Sequence, residues 1–345
     1  MNETTFTAAP GITNPKKKRR KPNFFVIVLS VITIILLIVC IFLAFACTRL
    51  TKETSVSAVD DEKLVFEEAG EEIILESFKE RLSSGESVLS LLKDYYPDNI
   101  VYVDNGRYIF AEILGNLKKN NFKKENFSKD SRGELTYSEN GTVVSHKGID
   151  VSQFQGDIDF SRVKASGVEY AIIRCGYRGY GSGTLQEDPE FKDNIEGALT
   201  NDIEVGVYFF TQAVTKEEAV EEADYVIDKI KPYNVTYPVV LDVEEILGDT
   251  YRQQQLNKEQ LTEVIAAFCE RVKEKGYTPM IYGNLKYLIG KVDLTRLESY
   301  DKWFAYYDDE LYYPYEISMW QYSDSGSVDG ISGNVDLNIS FKKWK

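Results

Sequence analysis

Two carboxylates stand two residues apart in Tyr237-Pro238-Val239-Val240-Leu241-Asp242-Val243-Glu244, at the end of an apolar, β-branched run. Side chains at i and i+2 of a strand share a face, with Cα atoms about 6.5 Å apart. Carboxyls so placed drive their pKa values apart, one staying protonated while its neighbour ionises. Glycosidic cleavage needs that division of labour, because the leaving oxygen takes a proton while an oxocarbenium-like centre is stabilised. Two further acids fall at strand ends, Asp150 after Gly148-Ile149 and Asp336 after Val335. The competing readings are a solvated strand end for the Asp-x-Glu pair and a Ca²⁺ or Mg²⁺ site for the cluster. Tyr208, Phe209, Tyr282, Trp303, Tyr307 and Trp320 offer either faces for sugar rings or ordinary core packing. Arg174, between Ile173 and Cys175, is either a substrate contact or a buried ion-pair partner.

Composition narrows the chemistry. The chain has 345 residues, a net charge of −15 and a single histidine, His146. One histidine excludes a multi-His metal centre, and any Ser–His–Asp triad would depend on it. An acidic chain is a poor non-specific nucleic-acid binder. Four widely spread cysteines make no disulfide scaffold, and Cys175 and Cys269 read as buried thiols.

The elements that must position the carboxylates begin near Lys147. Short strand-like runs at 148–151, 170–175, 205–211, 237–244, 278–283, 302–307 and 317–322, with a last one near Val335-Asp336, alternate with helical patterns at 189–200, 215–231 and 257–275. Thr215-x-x-Glu218 and Asn257-x-x-Gln260 are helix-start signals, and Gly276 is a stop. About eight strands with intervening helices predict an α/β fold, a TIM-like β/α barrel. In such barrels the strands' C-terminal ends carry the chemistry, which would bring Asp150, Asp242, Glu244 and Asp336 to one rim.

Upstream, the averages hide an asymmetry. Residues 24–46 form a 23-residue run without a charge, directly after the basic hexamer Lys16–Lys21. A helix of that length spans a bilayer core of roughly 30 Å, and flanking basic residues mark the cytoplasmic side. The expectation is therefore a cytoplasmic basic tail (1–23, net +5), a transmembrane signal anchor (24–46) and a polar linker (47–60). The remainder carries 34 basic and 54 acidic residues, so the exterior is strongly acidic. Cleavage after Ala46 is the alternative to a retained anchor, although the apolar run exceeds the roughly 7–15 residues of a signal core. Residues 61–146 predict a small α+β module: helical spacing over 61–96, then hairpins at Asn105-Gly106 and Asn140-Gly141. It holds no catalytic constellation and reads as a spacer.

The motifs of residues 147–345, taken together, resemble a known family. Gly148-Ile149-Asp150-Val151-Ser152-x-x-Gln155-Gly156-x-Ile158-Asp159 is similar to the opening signature of glycoside hydrolase family 25, lysozymes of the N,O-diacetylmuramidase type. The likeness continues through Ile173-Arg174-x-Gly176, Gly206-x-Tyr208-x-Phe210, Leu241-Asp242-x-Glu244, Trp303-x-Ala305-x-Tyr307 and Trp320-Gln321-Tyr322. It ends at Gly330-x-x-Gly333-x-Val335-Asp336-x-Asn338. Phe160 departs from it, standing where the family usually has Trp. The resemblance implies a flattened, irregular barrel that cleaves the β-1,4 bond between N-acetylmuramic acid and N-acetylglucosamine without a cofactor or metal. It implies Glu244 as the acid, Asp242 as its partner, and Asp150 and Asp336 as the acidic floor. Substrate contacts would come from Arg174, Tyr208, Phe210, Tyr282, Trp303, Tyr307, Trp320 and Gln321. The expected partners are peptidoglycan strands and, through residues 24–46, the lipid bilayer. The catalytic domain would then lie outside the cell membrane, and a catalytically silent wall-binding module is the alternative.

Overall fold

The computed structural model describes residues 33, 35–41, 43–44, 70, 72–246 and 248–344. The chain divides into two compact units, Met1–Glu86 and Ser87–Lys345. In the first unit residues 72–83 are helical, as are the described residues of the apolar run. Among the described residues no helix is long and apolar enough to cross a membrane. The rest of the expected span, the basic tail and the linker lie outside the described residues.

The second unit is built on a closed barrel. Its strands are β6 (His146–Val151), β7 (Tyr170–Arg178), β9 (Glu204–Phe210), β10 (Val239–Asp242), β11 (Pro279–Asn284), β12 (Asp301–Ala305), β13 (Met319–Gly326) and β14 (Val335–Ser340). They pair in the order β6-β14-β13-β12-β11-β10-β9-β7, and β6–β7 pairing closes the ring; β8 (Leu185–Glu187) is a hairpin extension of β7. All eight expected strands are present. Seven run parallel, while β14 is antiparallel to both β13 and β6. That reversal matters for the site, because it brings the first residues of β14, not its last, to the rim where the other strands end.

Strand periodicity sorts the side chains into two layers. Tyr170, Ile172, Val240, Met280, Tyr282, Trp303 and Met319 fill the barrel. Their alternates, including Ile173, Val207, Phe209, Leu241, Ile281, Phe304, Trp320 and Leu337, face outward into a second core. Gly148 makes the interior packing feasible, since a Cβ there would lie 2.1 Å from the Tyr170 ring.

Helices α2 (Phe160–Ala165), α3 (Phe191–Thr200), α4 (Lys216–Ile230) and α5 (Lys258–Glu274) cover only the first part of the ring. Asn257 and Gln260 close a reciprocal capping box on α5, and Thr215 caps α4 through the Glu218 N–H. The Glu218 carboxylate instead reaches back to the Val214 N–H. Between β11 and β12 stands only a wide helical turn at Lys286–Lys291, and no helix separates β12 from β13.

Residues 87–146 cover this bare side. They comprise α1 (Val88–Tyr95), the hairpin β1–β2 (Asn99–Asp104, Arg107–Glu112), and the small sheet β3–β5 (Phe127–Lys129, Leu135–Glu139, Thr142–Val143). Both Asn-Gly turns form with positive φ at each residue, as a type I′ turn requires. Ile100, Tyr102, Leu117 and Leu135 join the outer core of the barrel. Phe127 meets Trp320 edge-on at 5.5 Å, and the Phe122 ring lies 4.0 Å from Phe341. The Val101 and Leu114 N–H groups donate to the hydroxyls of Tyr312 and Tyr315, each at 2.8 Å. The segment expected to be a spacer thus supplies the missing outer layer of the barrel from Ser87 onward.

Candidate active site

Asp150 and Asp336 sit directly opposite each other in the antiparallel β6–β14 pair. Asp242 closes β10, and Glu244, two residues on, reaches the same recess. With Tyr208, Tyr282, Trp303, Tyr307 and Gln321 these four carboxylates line a recess of about 450 Å³. An adjoining limb of about 720 Å³ shares the acids and Tyr208 and adds Ser152, Phe154, Gln155, Arg174 and Phe210. All four acids expected from the sequence therefore converge on one groove, at the rim expected of a barrel.

A buried hydrogen-bond network fixes Asp150. Its Oδ2 accepts from Gln321 Nε2 and Asn338 Nδ2, each at 2.8 Å. The amide orientations are themselves set: Tyr282 and Tyr307 hydroxyls donate to Gln321 Oε1 at 2.7 and 2.9 Å, and Trp303 Nε1 donates to Asn338 Oδ1 at 2.8 Å. Burial pushes Asp150 up to about 6, and the amide donors oppose the shift. Asp336 goes higher, to about 9, through burial and then the charge of Asp150, to which it hydrogen-bonds. Both carboxyls of the pair therefore hold a proton more tightly than an ordinary carboxylate does.

The second pair is also raised. Burial pushes Glu244 up to about 7, with Asp336 adding repulsion. Asp242 stands well above the usual carboxylate range through burial and then repulsion from Glu244 and Asp150, with Arg174 opposing. Asp242 Oδ1 is buried without a hydrogen-bond partner, an acceptor ready for a donor brought by a ligand. A groove holding a carboxyl protonated near neutrality beside a second, unpaired one can perform acid catalysis on a glycosidic oxygen. Among the described residues no group of three or more His, Cys, Asp or Glu side chains is arranged to hold a metal ion.

Of the expected substrate contacts, Arg174, Tyr208, Phe210, Tyr282, Trp303, Tyr307 and Gln321 line the groove. Trp320 does not. It lies one residue from Gln321 on β13, so its side chain takes the opposite face, buried in the outer core with Nε1 donating to the Tyr306 carbonyl. Phe209, with its outward parity, is likewise core. Trp303 lines the recess and is itself buried. Phe160 packs in the outer core, its ring filling the space above Gly197, so the departure from the family pattern concerns packing and not sugar contact. His146, at the first residue of β6, pairs with Glu169 at 2.9 Å and does not line the groove. Cys175 and Cys269 are free, buried thiols.

Sequence reasoning missed Phe154, Ser152, Gln155, Asn338 and Asp188 as parts of the site. Asn338 carried a signal, since it shares parity with Asp336 on one strand. Asp188 carried none, because its ion pair with Arg174 at 2.6 Å depends on how the β7–β8 hairpin folds back.

Comparisons with known proteins agree with this geometry. Residues 149–331, just over half of the chain, match the family described as Glycosyl hydrolases family 25. The autolytic lysozyme of Clostridium acetobutylicum is 29% identical over 198 residues, covering 56% of this chain and 55% of that protein. Lysozyme M1 of Streptomyces globisporus is 29% identical over 206 residues, covering 56% of this chain and 66% of its own. The modular autolysin LytC of Streptococcus pneumoniae superposes with a TM-score of 0.50 at 25% identity, covering 69% of this chain and 57% of its own. The chain thus spans little more than half the length of the autolytic lysozyme and the autolysin that it matches.

Proposed function

The chain belongs to glycosyl hydrolases family 25, and from that premise we propose that it is a membrane-anchored muramidase. It would hydrolyse the β-1,4 bond between N-acetylmuramic acid and N-acetylglucosamine in peptidoglycan and so remodel the wall locally. The observation that carries this reading is the convergence of Asp150, Asp242, Glu244 and Asp336 on one groove, with Glu244 raised to about 7.

In this reading Glu244, protonated near neutral pH, donates to the leaving glycosidic oxygen. The free Oδ1 of Asp242 accepts the N–H of the sugar's 2-acetamido group, and that donor stabilises the carboxylate that burial otherwise disfavours. The acetamido carbonyl oxygen then attacks C1 as the C1–O bond breaks, giving an oxazolinium ion. Water adds to C1, and the Glu244 carboxylate takes its proton, which restores the acid. Asp150, held by two amide donors, supplies negative charge to the developing oxocarbenium centre. The uncharged run at 24–46 behind Lys16–Lys21 supports the anchor, with the N-terminus cytoplasmic and the catalytic domain outside.

The test is Glu244→Gln on purified peptidoglycan. Release of reducing ends should fall by about 10³-fold or more while the circular dichroism spectrum is unchanged. Undiminished release would refute the assignment of the acid. Strand binding by the wild-type protein without any turnover would support the silent wall-binding alternative. Mass spectrometry of the fragments should find reduced muramic-acid ends; reduced glucosamine ends would make the enzyme a glucosaminidase.

A further inference from the structure

Two arginines stand four residues apart on β7, and they are used differently. Arg178 is spent on structure. Its Nε donates to buried Glu222 at 2.7 Å, Nη1 to the Gly183 carbonyl at 2.8 Å, and Nη2 to the Glu218 carbonyl and Glu221 at 3.0 and 2.8 Å. Arg174 is anchored by one edge only. Its Nε donates to Asp188 Oδ2 at 2.6 Å, whereas Nη2 is buried with no hydrogen-bond partner. Asp188 cannot turn to cover it: Oδ2 also accepts from the Gln153 N–H and Oδ1 from the Glu190 N–H, at 3.1 and 2.9 Å. The Arg174 side chain is only 11% exposed, so water does not readily substitute. An unpaired buried donor of a charged group carries its full desolvation cost, and a fold keeps one where a ligand repays it.

The surroundings indicate what kind of ligand. Arg174 lines the outer limb of the groove with Ser152, Phe154, Gln155 and Phe210. The Phe154 ring, 77% exposed on a short helical turn, stands over the guanidinium with 4.8 Å from its centroid to Cζ. A group entering the limb therefore meets both this ring and the guanidinium beside it. The rest of the groove is lined by acids, and the whole chain carries −15. An anion therefore gains nothing from the general field and needs a specific cation, and a guanidinium edge fits a carboxylate in two-point geometry.

We propose that the outer limb binds a carboxylate carried by the glycan, with Arg174 as the residue that selects it. This rests on the muramidase reading and adds that the preferred strand bears a free carboxylate near the cleaved bond. Two sources share that chemistry: the lactyl carboxylate exposed when the stem peptide is removed, and a carboxylate of an intact stem peptide. Asp188 and Phe154 act through Arg174, the first by holding the guanidinium in place and the second by covering it.

The experiment uses the full chain and four substrates: peptide-bearing and amidase-trimmed strands, each as the free carboxylate and after conversion to the primary amide with carbodiimide and ammonia. We expect kcat/KM on the free-carboxylate form of one strand type to exceed that on its amide by about tenfold, equivalent to about 1.4 kcal/mol. Arg174→Gln should bring the ratio close to one, and Arg174→Lys should keep part of it. The strand type that shows the ratio identifies the source. A ratio near one in the wild-type protein, or a ratio that survives Arg174→Gln, overturns the proposal; an equal loss on all four substrates assigns Arg174 to holding the fold. Calorimetric binding of the same fragments to Glu244→Gln protein, with and without Arg174→Gln, separates this from the parent reading. Carboxylate discrimination in binding without wild-type turnover sinks the muramidase reading alone, whereas turnover without discrimination sinks this one alone.

Discussion

Deleting residues 1–146 should leave a barrel that does not hold together, although every expected catalytic residue remains. The barrel has no helix between β12 and β13, and residues 87–146 stand in for it. Their removal uncovers Trp320, Tyr322, Tyr313, Tyr315 and Phe341, aromatic side chains now packed in or against the shared outer core. Burying one large apolar side chain is worth about 1.5–3 kcal/mol. If the deletion exposes about half of each of the five, the loss is about 4–8 kcal/mol. The hydroxyls of Tyr312, Tyr315 and Tyr322 also lose the backbone donors of Val101, Leu114 and Leu135, and Asp104 leaves Lys286. A domain's entire stability is about 5–15 kcal/mol. A fragment 147–345 should therefore unfold without cooperativity and bind a hydrophobic dye, while 87–345 melts in one sharp transition. Thermal scanning by circular dichroism decides it. A fragment 147–345 that melts within a few degrees of 87–345 and keeps its activity would show that residues 87–146 are a detachable spacer, and the packing argument would be wrong.

The titration of the groove gives a pH expectation. If Glu244, raised to about 7, is the acid, kcat should fall as pH rises through about 7, and stopped assays on purified strands will locate the limb. Stability has the same sign: the folded state binds more protons at Glu244 and Asp336 than the unfolded chain, so the melting temperature should decline from about pH 5 to pH 9, less steeply in Glu244→Gln. The two faces of the barrel wall should separate in mutation. Trp320→Phe removes the Nε1 bond to the Tyr306 carbonyl and part of the contact with Phe127, costing about 1–3 kcal/mol in denaturant unfolding while KM is unmoved. Tyr282→Phe frees Gln321 from one of its two tyrosine donors and so loosens Asp150; kcat should drop severalfold for a stability loss of about 1 kcal/mol.

How far the site was legible follows from the range of the forces involved. The parity of a strand is local, so Asp242 and Glu244 on one face, and Asp336 with Asn338 on another, can be read along the chain. The same rule, applied strictly, separates Trp320 from Gln321, and counting both as groove residues overlooked it. Turn chemistry is local too, and Asn105-Gly106, Asn140-Gly141 and Gly276 all adopt the positive φ that they announce. The partners of Arg174 were not legible. Its pairing with Asp188 and its uncovered Nη2 arise only after β7 folds back on β8.

By itself the sequence determined the chemistry: one histidine, four carboxylates at strand ends, and the succession of strands and helices that delivers them. Tertiary structure decided three things that no local pattern carries. The antiparallel run of β14 brings Asp336 opposite Asp150, because a barrel closed by a reversed strand presents that strand's beginning at the active rim. Closure also crowds the four acids together, with Asp150 and Asp242 buried and Glu244 and Asp336 half-buried, and desolvation with mutual repulsion, not residue type, raises Glu244 to about 7. Residues 87–146 became part of the domain because the barrel leaves one side without helices, and exposed aromatic surface in water is covered by whatever chain can reach it.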